Sequence, residues 1–255
     1  MITIIQYNSR KLKIDLSQPL DISIPLKGNS SNVNAWYLEP PKIEPEVIDG
    51  KPISVAEGAV VNFNTITFNP HSHGTHTETV GHITEKVYSI NKCLKQFVFL
   101  AEVVTVAPEK LGDDYVISKK QLQFLLGNKK REAIVIRTLP NTKEKKSAQY
   151  SNTNPTYLLE DAAVYLRLKG IKHLLIDLPS VDKEHDNGEL LAHNAFWNTQ
   201  GKLRLDATIT ELIYVSNKIE DGSYMLNLQI GPFENDASPS KPCLLYTSPS
   251  PRDRG

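Results

Sequence analysis

Residues 157–178 read YLLEDAAVYLRLKGIKHLLIDL, a segment with helical spacing that stops at a glycine and is followed at once by an apolar run. The helical part ends near Leu168, and Gly170 is typical of a position just beyond a helix end. The apolar run Ile171–Leu178 has the length and composition of a buried strand, and Ala133–Ile136 upstream has the same character. This succession of strand, helix and strand predicts a βαβ unit with a right-handed crossover.

Strand patterns lie on both sides of this centre. Apolar and polar residues alternate at Leu20–Leu26 and Ala59–Phe68 before it, and the segments Glu211–Val215 and Tyr224–Ile230 after it are also strand-like. A further helix is expected at Lys119–Leu126, between a serine that can cap it and a glycine that ends it. The sequence therefore predicts one α/β domain with mixed sheets, in which antiparallel strands from both chain ends surround a small βαβ centre.

The composition narrows the classes of function. Lys and Arg total 29 and so do Asp and Glu, so the formal net charge is zero and no basic footprint indicates a nucleic-acid partner. No apolar stretch reaches 18 residues, so no membrane partner is expected. The two cysteines, Cys93 and Cys243, are too few for a disulfide framework, which favours a reduced cytoplasmic protein. These features therefore give no indication of a nucleic-acid or membrane partner.

The C-terminal segment Cys243–Gly255 reads CLLYTSPSPRDRG and has no periodic apolar pattern. It resembles a translated sequencing-adapter tail, and an ordinary disordered C-terminus is the alternative. We therefore expect the domain to span residues 1–242 and residues 243–255 to be a non-native or disordered tail.

The run 71–82, HSHGTHTETVGH, contains four of the seven histidines and an interleaved glutamate, Glu78. It follows a predicted strand, and if that strand persists, His71 and His73 share a face. Imidazole nitrogens and a carboxylate that converge on one point are ligands for zinc, manganese or iron(II). The absence of thiolates favours a catalytic ion over a structural one. Surface loops also carry incidental histidines, but the preceding strand and the interleaved Gly, Thr and Glu favour a metal site.

This run resembles the pattern His-x-Gly-Thr-His-x-Asp-x-Pro-x-His of the cyclase family, whose best-known members are bacterial kynurenine formamidases (arylformamidases), with isatin hydrolases as relatives. Gly74–His82 carries the core of the pattern. The resemblance extends to the opening segment Asp15–Leu20 (DLSQPL), to Gly170–Asp182 (GIKHLLIDLPSVD) and to the closing segment Asn235–Pro239 (NDASP). It covers roughly Asp15 to Pro242.

The resemblance implies a swivelling β/β/α-like domain and a homodimer. It also implies hydrolysis of an amide, formamide or lactam with the help of a divalent metal, Zn or Mn, in a site that can be binuclear. His82 takes the position of the family's proton donor and acceptor. The implied metal ligands are His76, Glu78, His193 and Glu211, joined by His71 or His73.

The sequence also departs from the family pattern. Ser72 stands where the family has its first histidine, so a shift of one residue must bring in His71 or His73, and we favour His71 because Gly74 lets the chain bulge. Glu78 replaces Asp, and Val80 replaces Pro. These departures leave open a metal-binding protein that has lost catalysis, and a cyclase or dehydratase that acts on a small acid.

The segment Gly28–Pro52 is rich in Pro, Asn and Gly and predicts a long loop, a type of segment that is often functional. Its aromatic pair, Trp36 and Tyr37, can stack on an aromatic substrate or serve as simple packing. We take Trp36 as the candidate substrate-binding residue. Asp182 is expected to orient the loops of the site through hydrogen bonds rather than to bind metal.

Overall fold

The structure, a computed structural model, describes residues 1–7 and 10–249. Its helices are α1 Pro70–His73, α2 Ile90–Cys93, α3 Lys119–Leu126, α4 Glu160–Leu168 and α5 Leu191–Trp197, with 3₁₀ turns at Val55–Glu57, Val80–His82 and Lys143–Ser147. Its strands are β1 Ile2–Tyr7, β2 Arg10–Asp15, β3 Leu20–Asp21, β4 Lys42–Pro45, β5 Val47–Ile48, β6 Lys51–Pro52, β7 Asn64–Thr67, β8 His76–Glu78, β9 Val98–Val106, β10 Glu109–Leu111, β11 Asp114–Ile117, β12 Ala133–Thr138, β13 Tyr157–Leu158, β14 His173–Ile176, β15 Thr208–Glu211, β16 Gly222–Ile230 and β17 Ala237–Pro249.

A closed ring of strands forms the centre of the fold, in the order β8, β15, β14, β12, β9, β16 and β17. The ring closes because β17 is long enough to pair with two neighbours. Its first residues, Ala237–Pro239, pair with β8, and its later residues pair with β16. The pairings β9–β12, β12–β14 and β14–β15 are parallel, and the remaining pairings in the ring are antiparallel. Closure fixes β8 between β15 and β17, and β2 and β1 continue the sheet outward from β17.

The predicted βαβ unit is confirmed. Strands β12 and β14 are adjacent and parallel, and α4 lies between them in the chain. Every residue of β12 is buried, as expected for a strand covered on both faces. Ile134 and Ile136 belong to one core cluster with residues of the helices α3, α4 and α5. Ala133 and Val135 belong to a second cluster drawn from the ring strands, because successive side chains of a strand point to opposite faces.

The predicted start is correct for helix α3 and too early for helix α4. Helix α3 runs over the predicted residues, with a capping box between Ser118 and Gln121. Helix α4 begins later than the pattern indicates, at Glu160. The preceding residues Tyr157–Leu158 pair instead with β11, and this backbone pairing outweighs their helical spacing. Within the described residues, no helix is both long and apolar enough to cross a bilayer.

Four predicted segments are corrected by the structure. The strand expected at Leu20–Leu26 is limited to Leu20–Asp21. The strand expected at Ala59–Phe68 is limited to Asn64–Thr67. The strand expected at Glu211–Val215 instead ends at Glu211, because the left-handed backbone of Leu212 (φ 53°) turns the chain. The segment 28–52 is not loop throughout, since β4, β5 and β6 lie within it.

The predicted domain boundary after residue 242 is also wrong. Strand β17 continues to Pro249, with Leu244 fully buried and Leu245 only 5 % exposed. These residues pair with Leu226 and Met225 of β16, so the partner strand supplies the order that the local pattern does not show. Residues 250–255, the rest of the predicted tail, lie outside the described residues.

We expect Leu244→Ala to lower the free energy of unfolding by about 2–5 kcal/mol, the usual cost of truncating a buried leucine. Leu244 packs in the core cluster of the ring, so its loss leaves a cavity. Urea denaturation measures the change. The matched control is Leu111→Ala, since that leucine is 52 % exposed. Equal effects of the two substitutions would show that the segment after residue 242 adds nothing to the core.

Candidate metal centre

Strand β8 places two of the candidate ligands. His76 and Glu78 are two residues apart on the strand and therefore share one face. Glu211 of β15 lies directly opposite His76, so its side chain joins the same face, and its Oε2 is 3.4 Å from His76 Nε2. Thr77 points to the other face, where its hydroxyl is 2.8 Å from that of Thr210. The predicted convergence of His76, Glu78 and Glu211 is present, although the sequence separates them widely.

The helical turn α1 brings in His71. Asn69 caps this turn and accepts a hydrogen bond from the backbone N–H of His71, and Pro70 occupies its first position. His71 Nδ1 then lies 3.0 Å from Glu78 Oε2, and its Nε2 lies 2.9 Å from Asp236 Oδ2. His71 thus reaches the cluster as predicted, although a helical turn and not a bulge at Gly74 places it there.

His73 is not brought to this cluster. Because the segment is a helical turn and not an extended strand, side chains two residues apart point in widely different directions. The Nδ1 atom of His73 accepts a hydrogen bond from the backbone N–H of Asn69, 2.8 Å away. Ser72, in the position of the family's first histidine, is buried and donates its hydroxyl to the carbonyl of Ala35. Of the two alternatives, the geometry therefore supports His71.

Helix α5 contributes His193 to the cluster. The backbone N–H groups of Ala192 and His193 donate to the Asp182 carboxylate, over 2.6 and 3.1 Å. His193 Nδ1 lies 2.6 Å from the same carboxylate, and its Nε2 lies 3.2 Å from Glu78 Oε1 and 3.8 Å from Glu211 Oε1. Asp182 therefore orients a candidate ligand directly, which is more than the loop-orienting role expected from the sequence.

Three imidazoles of the centre, two of them buried and that of His71 partly buried, share one arrangement. His76 Nδ1 faces the carbonyl of Gly74 at 3.0 Å, His193 Nδ1 faces Asp182, and His71 Nε2 faces Asp236. If each of these outer nitrogens carries the proton, each inner nitrogen presents a lone pair to the centre. Metal-ligating histidines are held in this way in proteins.

Charge at the centre is strongly coupled. Burial raises the pKa of the Glu78 carboxyl, but the surrounding His82, His193 and His71 outweigh it and hold that pKa well below its ordinary range. Burial lowers the pKa of His71, whereas hydrogen bonds to Asp236 and Glu78 raise it, with a net pKa of about 10. The pKa of His193 is likewise well above its ordinary value, because hydrogen bonds to Asp182 and Glu78 outweigh burial. The carboxylates of the centre thus stabilise positive charge next to Glu78.

Two buried polar atoms at the centre test whether a metal fits. His76 Nε2 and Glu78 Oε2 are both inaccessible to solvent. The contact of the first with Glu211 Oε2 at 3.4 Å and that of the second with His71 Nδ1 at 3.0 Å both lack hydrogen-bonding geometry. Buried polar atoms are rarely left in this state, so a cation between them is chemically apt. The donor atoms around them form three overlapping groups, within each of which all ligand atoms lie less than 4.8 Å apart: His71, His76 and Glu78; Glu78, His82 and His193; and His71, His82 and Asp236. Imidazole nitrogens with carboxylate oxygens and no thiolate suit zinc or manganese.

A cavity of about 450 Å³ opens onto this cluster. His82 stands at its wall on the 3₁₀ turn Val80–His82, with a side chain that is 33 % exposed, and its Nδ1 lies 3.4 Å from Asp236 Oδ2. Trp36, the candidate substrate-binding residue, also lines the cavity. The structure therefore groups His71, His76, Glu78, His82, His193 and Glu211 around one space and leaves His73 outside.

Asp236 is the residue that sequence reasoning missed. It contacts both His71 and His82, and these two imidazoles hold its pKa below the ordinary range although burial raises it. The only signal was its place in the closing segment Asn235–Pro239, which carried the resemblance but no assigned role. The pairing of β17 with β8 brings Asp236 beside Glu78.

Comparison with known proteins agrees with this geometry. Residues 14–183 match the model of the family Cyclase, described as "Putative cyclase", so the chain belongs to the cyclase family. A comparison with curated proteins gave no match.

Solved structures share the fold. One described as a potential metal-dependent hydrolase with cyclase activity is 17 % identical, with a TM-score of 0.66 over 91 % of this chain and 99 % of the other. A predicted metal-dependent hydrolase from Bacillus stearothermophilus is 17 % identical, with a TM-score of 0.63 over 89 % and 98 %. An isatin hydrolase bound to the product analogue thioisatinate is 13 % identical, with a TM-score of 0.63 over 91 % and 93 %. The predicted mixed α/β domain of the cyclase type is therefore confirmed.

We expect His76→Ala and His71→Ala to lose bound zinc or manganese, and His73→Ala to retain it. The first two remove nitrogens that face Glu211 and Glu78, whereas His73 bonds to Asn69 outside the cluster. Asp182→Asn should weaken metal binding by about 10–100-fold, the usual effect of removing a group that orients a ligand. Elemental analysis after dialysis, with circular dichroism to check folding, measures the outcome. Loss of metal from His73→Ala but not from His71→Ala would reverse the assignment.

Proposed function

We propose that this protein is a metal-dependent hydrolase that cleaves the carbon–nitrogen bond of a small amide, formamide or lactam, preferably one that carries a flat ring. The observation that carries the proposal is the convergence of buried His76 Nε2 and Glu78 Oε2, neither of which makes a hydrogen bond of good geometry. They lie beside His71, His193 and Glu211, which line a cavity that His82 and Trp36 also line. The isatin hydrolase of similar fold supports the choice of a lactam substrate, since isatin is a lactam. The formamide is proposed from the resemblance of the sequence alone.

His71, His76, Glu78, His193 and Glu211 would hold one or two divalent ions, with His71 in place of the family's first histidine. When bound, such an ion supplies charge that polarises a carbonyl and activates a water molecule at neutral pH. The residues of the chain orient the ligands and exclude water. Asp182 keeps His193 oriented, and the buried core around Glu78 excludes bulk water.

His82 is the proposed proton donor to the departing nitrogen. An imidazole suits this task because its ordinary pKa of about 6.5 lies near the working pH of most enzymes. His82 Nδ1 lies 3.4 Å from Asp236 Oδ2, and the other ring nitrogen then lies on the side of the metal centre, 3.9 Å from Glu78 Oε2. Asp236 therefore fixes which nitrogen of His82 can give up a proton.

The test is hydrolysis of N-formylkynurenine and of isatin by protein that has been stripped with a chelator and reloaded with zinc or manganese. We expect turnover only after reloading. His82→Ala should lower kcat by about 10²–10⁴, the usual effect of losing one general acid, while metal content stays near normal. Asp236→Asn should cost less, about 10–100-fold in activity or metal affinity, as for other groups that orient a ligand or a catalytic histidine.

Two outcomes would contradict this assignment. If His82→Ala loses metal as His76→Ala does, His82 is a ligand and the proton must come from another group. If fully loaded protein turns over neither substrate, the alternatives of a non-catalytic metal-binding protein, or of a cyclase or dehydratase acting on a small acid, take precedence.

We also propose that the protein is a homodimer that forms through an arm, defined as residues 42–67. None of the residues in this described segment is buried, and Ile43 pairs directly with Ile66, so both present apolar side chains on one face. Single-chain proteins rarely expose large apolar patches. The exposed apolar side chains of the arm are Ile43, Val47, Ile48, Val55, Val60, Val61, Phe63 and Ile66.

If the arm forms a dimer interface, light scattering coupled to gel filtration should give a mass of about twice the 28.6 kDa of one chain. The double variant with Phe63→Glu and Ile66→Glu should run as a monomer, because it places charge within the patch. Phe124→Glu, at a residue that is 86 % exposed on α3 outside the arm, is the control and should leave the mass unchanged. A wild-type monomer, or a double variant that stays dimeric, would remove the arm from the interface.

A further inference from the structure

Two adjacent aromatic residues at the cavity have an unusual backbone. Trp36 and Tyr37 have φ values of 59° and 61°, in the left-handed region that bulky side chains disfavour. Consecutive residues in this region persist only where surrounding contacts hold them, and such positions cluster at functional sites. Trp36 lines the cavity above the metal centre, whereas Tyr37 is 55 % exposed on the outside.

Tyr37 makes contacts that can hold this backbone. Its hydroxyl donates to Glu184 Oε1 at 2.7 Å and lies 3.1 Å from His185 Nε2. Its ring is stacked on that of His185, with an interplanar angle of 27°. Its backbone N–H donates to Ser151 Oγ at 2.9 Å. Exposed tyrosines usually contact water, whereas Tyr37 contacts three residues of the chain. These contacts link the segment that carries Trp36 to residues 184–185.

Glu184, the residue that binds the Tyr37 hydroxyl, is itself held in place by hydrogen bonds. Glu184 accepts hydrogen bonds from the backbone N–H groups of Asn152 and Asn154 through its two carboxylate oxygens. Two residues earlier, Asp182 holds His193 at the metal centre. The same short segment therefore fixes the orientation of a candidate metal ligand and, through Tyr37, the position of Trp36.

We infer that Tyr37, Glu184 and His185 form a latch that holds Trp36 as the wall against which the flat ring of a substrate stacks. Trp36 is then the specificity-determining residue, and the three latch residues are positioning residues. The part of the inference that concerns substrate choice rests on the proposed function. The part that concerns the position of Trp36 does not.

Tryptophan fluorescence tests the latch without any substrate. The chain has two tryptophans, and Trp197 is fully buried, so iodide quenching reports on Trp36. Trp36→Phe should abolish the quenchable component, which checks this assignment. Tyr37→Phe removes the hydroxyl and keeps the ring. We expect its quenching constant to rise at least about twofold, since loss of one hydrogen bond shifts such an equilibrium about two- to tenfold.

Tyr115→Phe is the matched control, because that tyrosine is also about half exposed but lies on β11. It should leave quenching unchanged. Glu184→Gln should act in the same direction as Tyr37→Phe, which distinguishes a latch from an effect of the phenol on the tryptophan itself. Quenching in Tyr37→Phe equal to that in wild type and in Tyr115→Phe would overturn the latch.

Binding and kinetics test the specificity. Tyr37→Phe should raise KM for isatin about two- to tenfold with kcat nearly unchanged, and should leave KM for formamide, which has no ring, unchanged. If no variant hydrolyses isatin, its Kd for the zinc-loaded protein, measured by calorimetry, replaces KM, so failure of the proposed reaction does not decide this inference. Equal Kd or KM values for isatin in wild type, Tyr37→Phe and Trp36→Phe would show that Trp36 is no substrate wall.

Discussion

The carboxylate of Glu78 is buried on β8, within the closed ring of strands. The arrangement of the other side chains at the centre depends on how its charge is compensated. A buried carboxylate is unstable unless it is paired and hydrogen-bonded. Two imidazoles, from His71 and His193, lie within 3.2 Å of its oxygens, and both have a raised pKa. The two imidazoles partly compensate the charge of the carboxylate, and a divalent cation can take over the same role. The site is therefore built to attract positive charge.

Closure of the barrel supplies the partners of Glu78. Strand β8 is only three residues long, and its position is fixed by β15 on one side and β17 on the other. The first neighbour brings Glu211 opposite His76, and the second brings Asp236 beside Glu78. Residues from the middle and from the end of the chain thus meet at one short strand. A change that weakens β17 should therefore disturb the metal centre as well as the core.

The departure at Ser72 shows how a local helix start can replace a missing ligand. Asn69 and Pro70 begin a single helical turn, and this turn points His71 to the cluster and His73 away from it. The Ser72 hydroxyl donates a hydrogen bond to the backbone carbonyl of Ala35, the residue before Trp36. This hydrogen bond therefore links the segment that carries the candidate ligand His71 to the segment that carries Trp36 at the wall of the cavity.

The sequence by itself determined the features that depend on local patterning. The βαβ centre, the capped helix α3 and the shared face of His76 and Glu78 all follow from periodicity and from residues that start or end helices. The resemblance of ordered segments along the chain added His193 and Glu211. Only the tertiary structure decided between His71 and His73, because the choice depends on a helical turn of four residues within a run that looks extended. It alone revealed Asp236 and the strand after residue 242, since both owe their places to pairing with strands far away in the chain, and pairing partners leave no mark on local sequence.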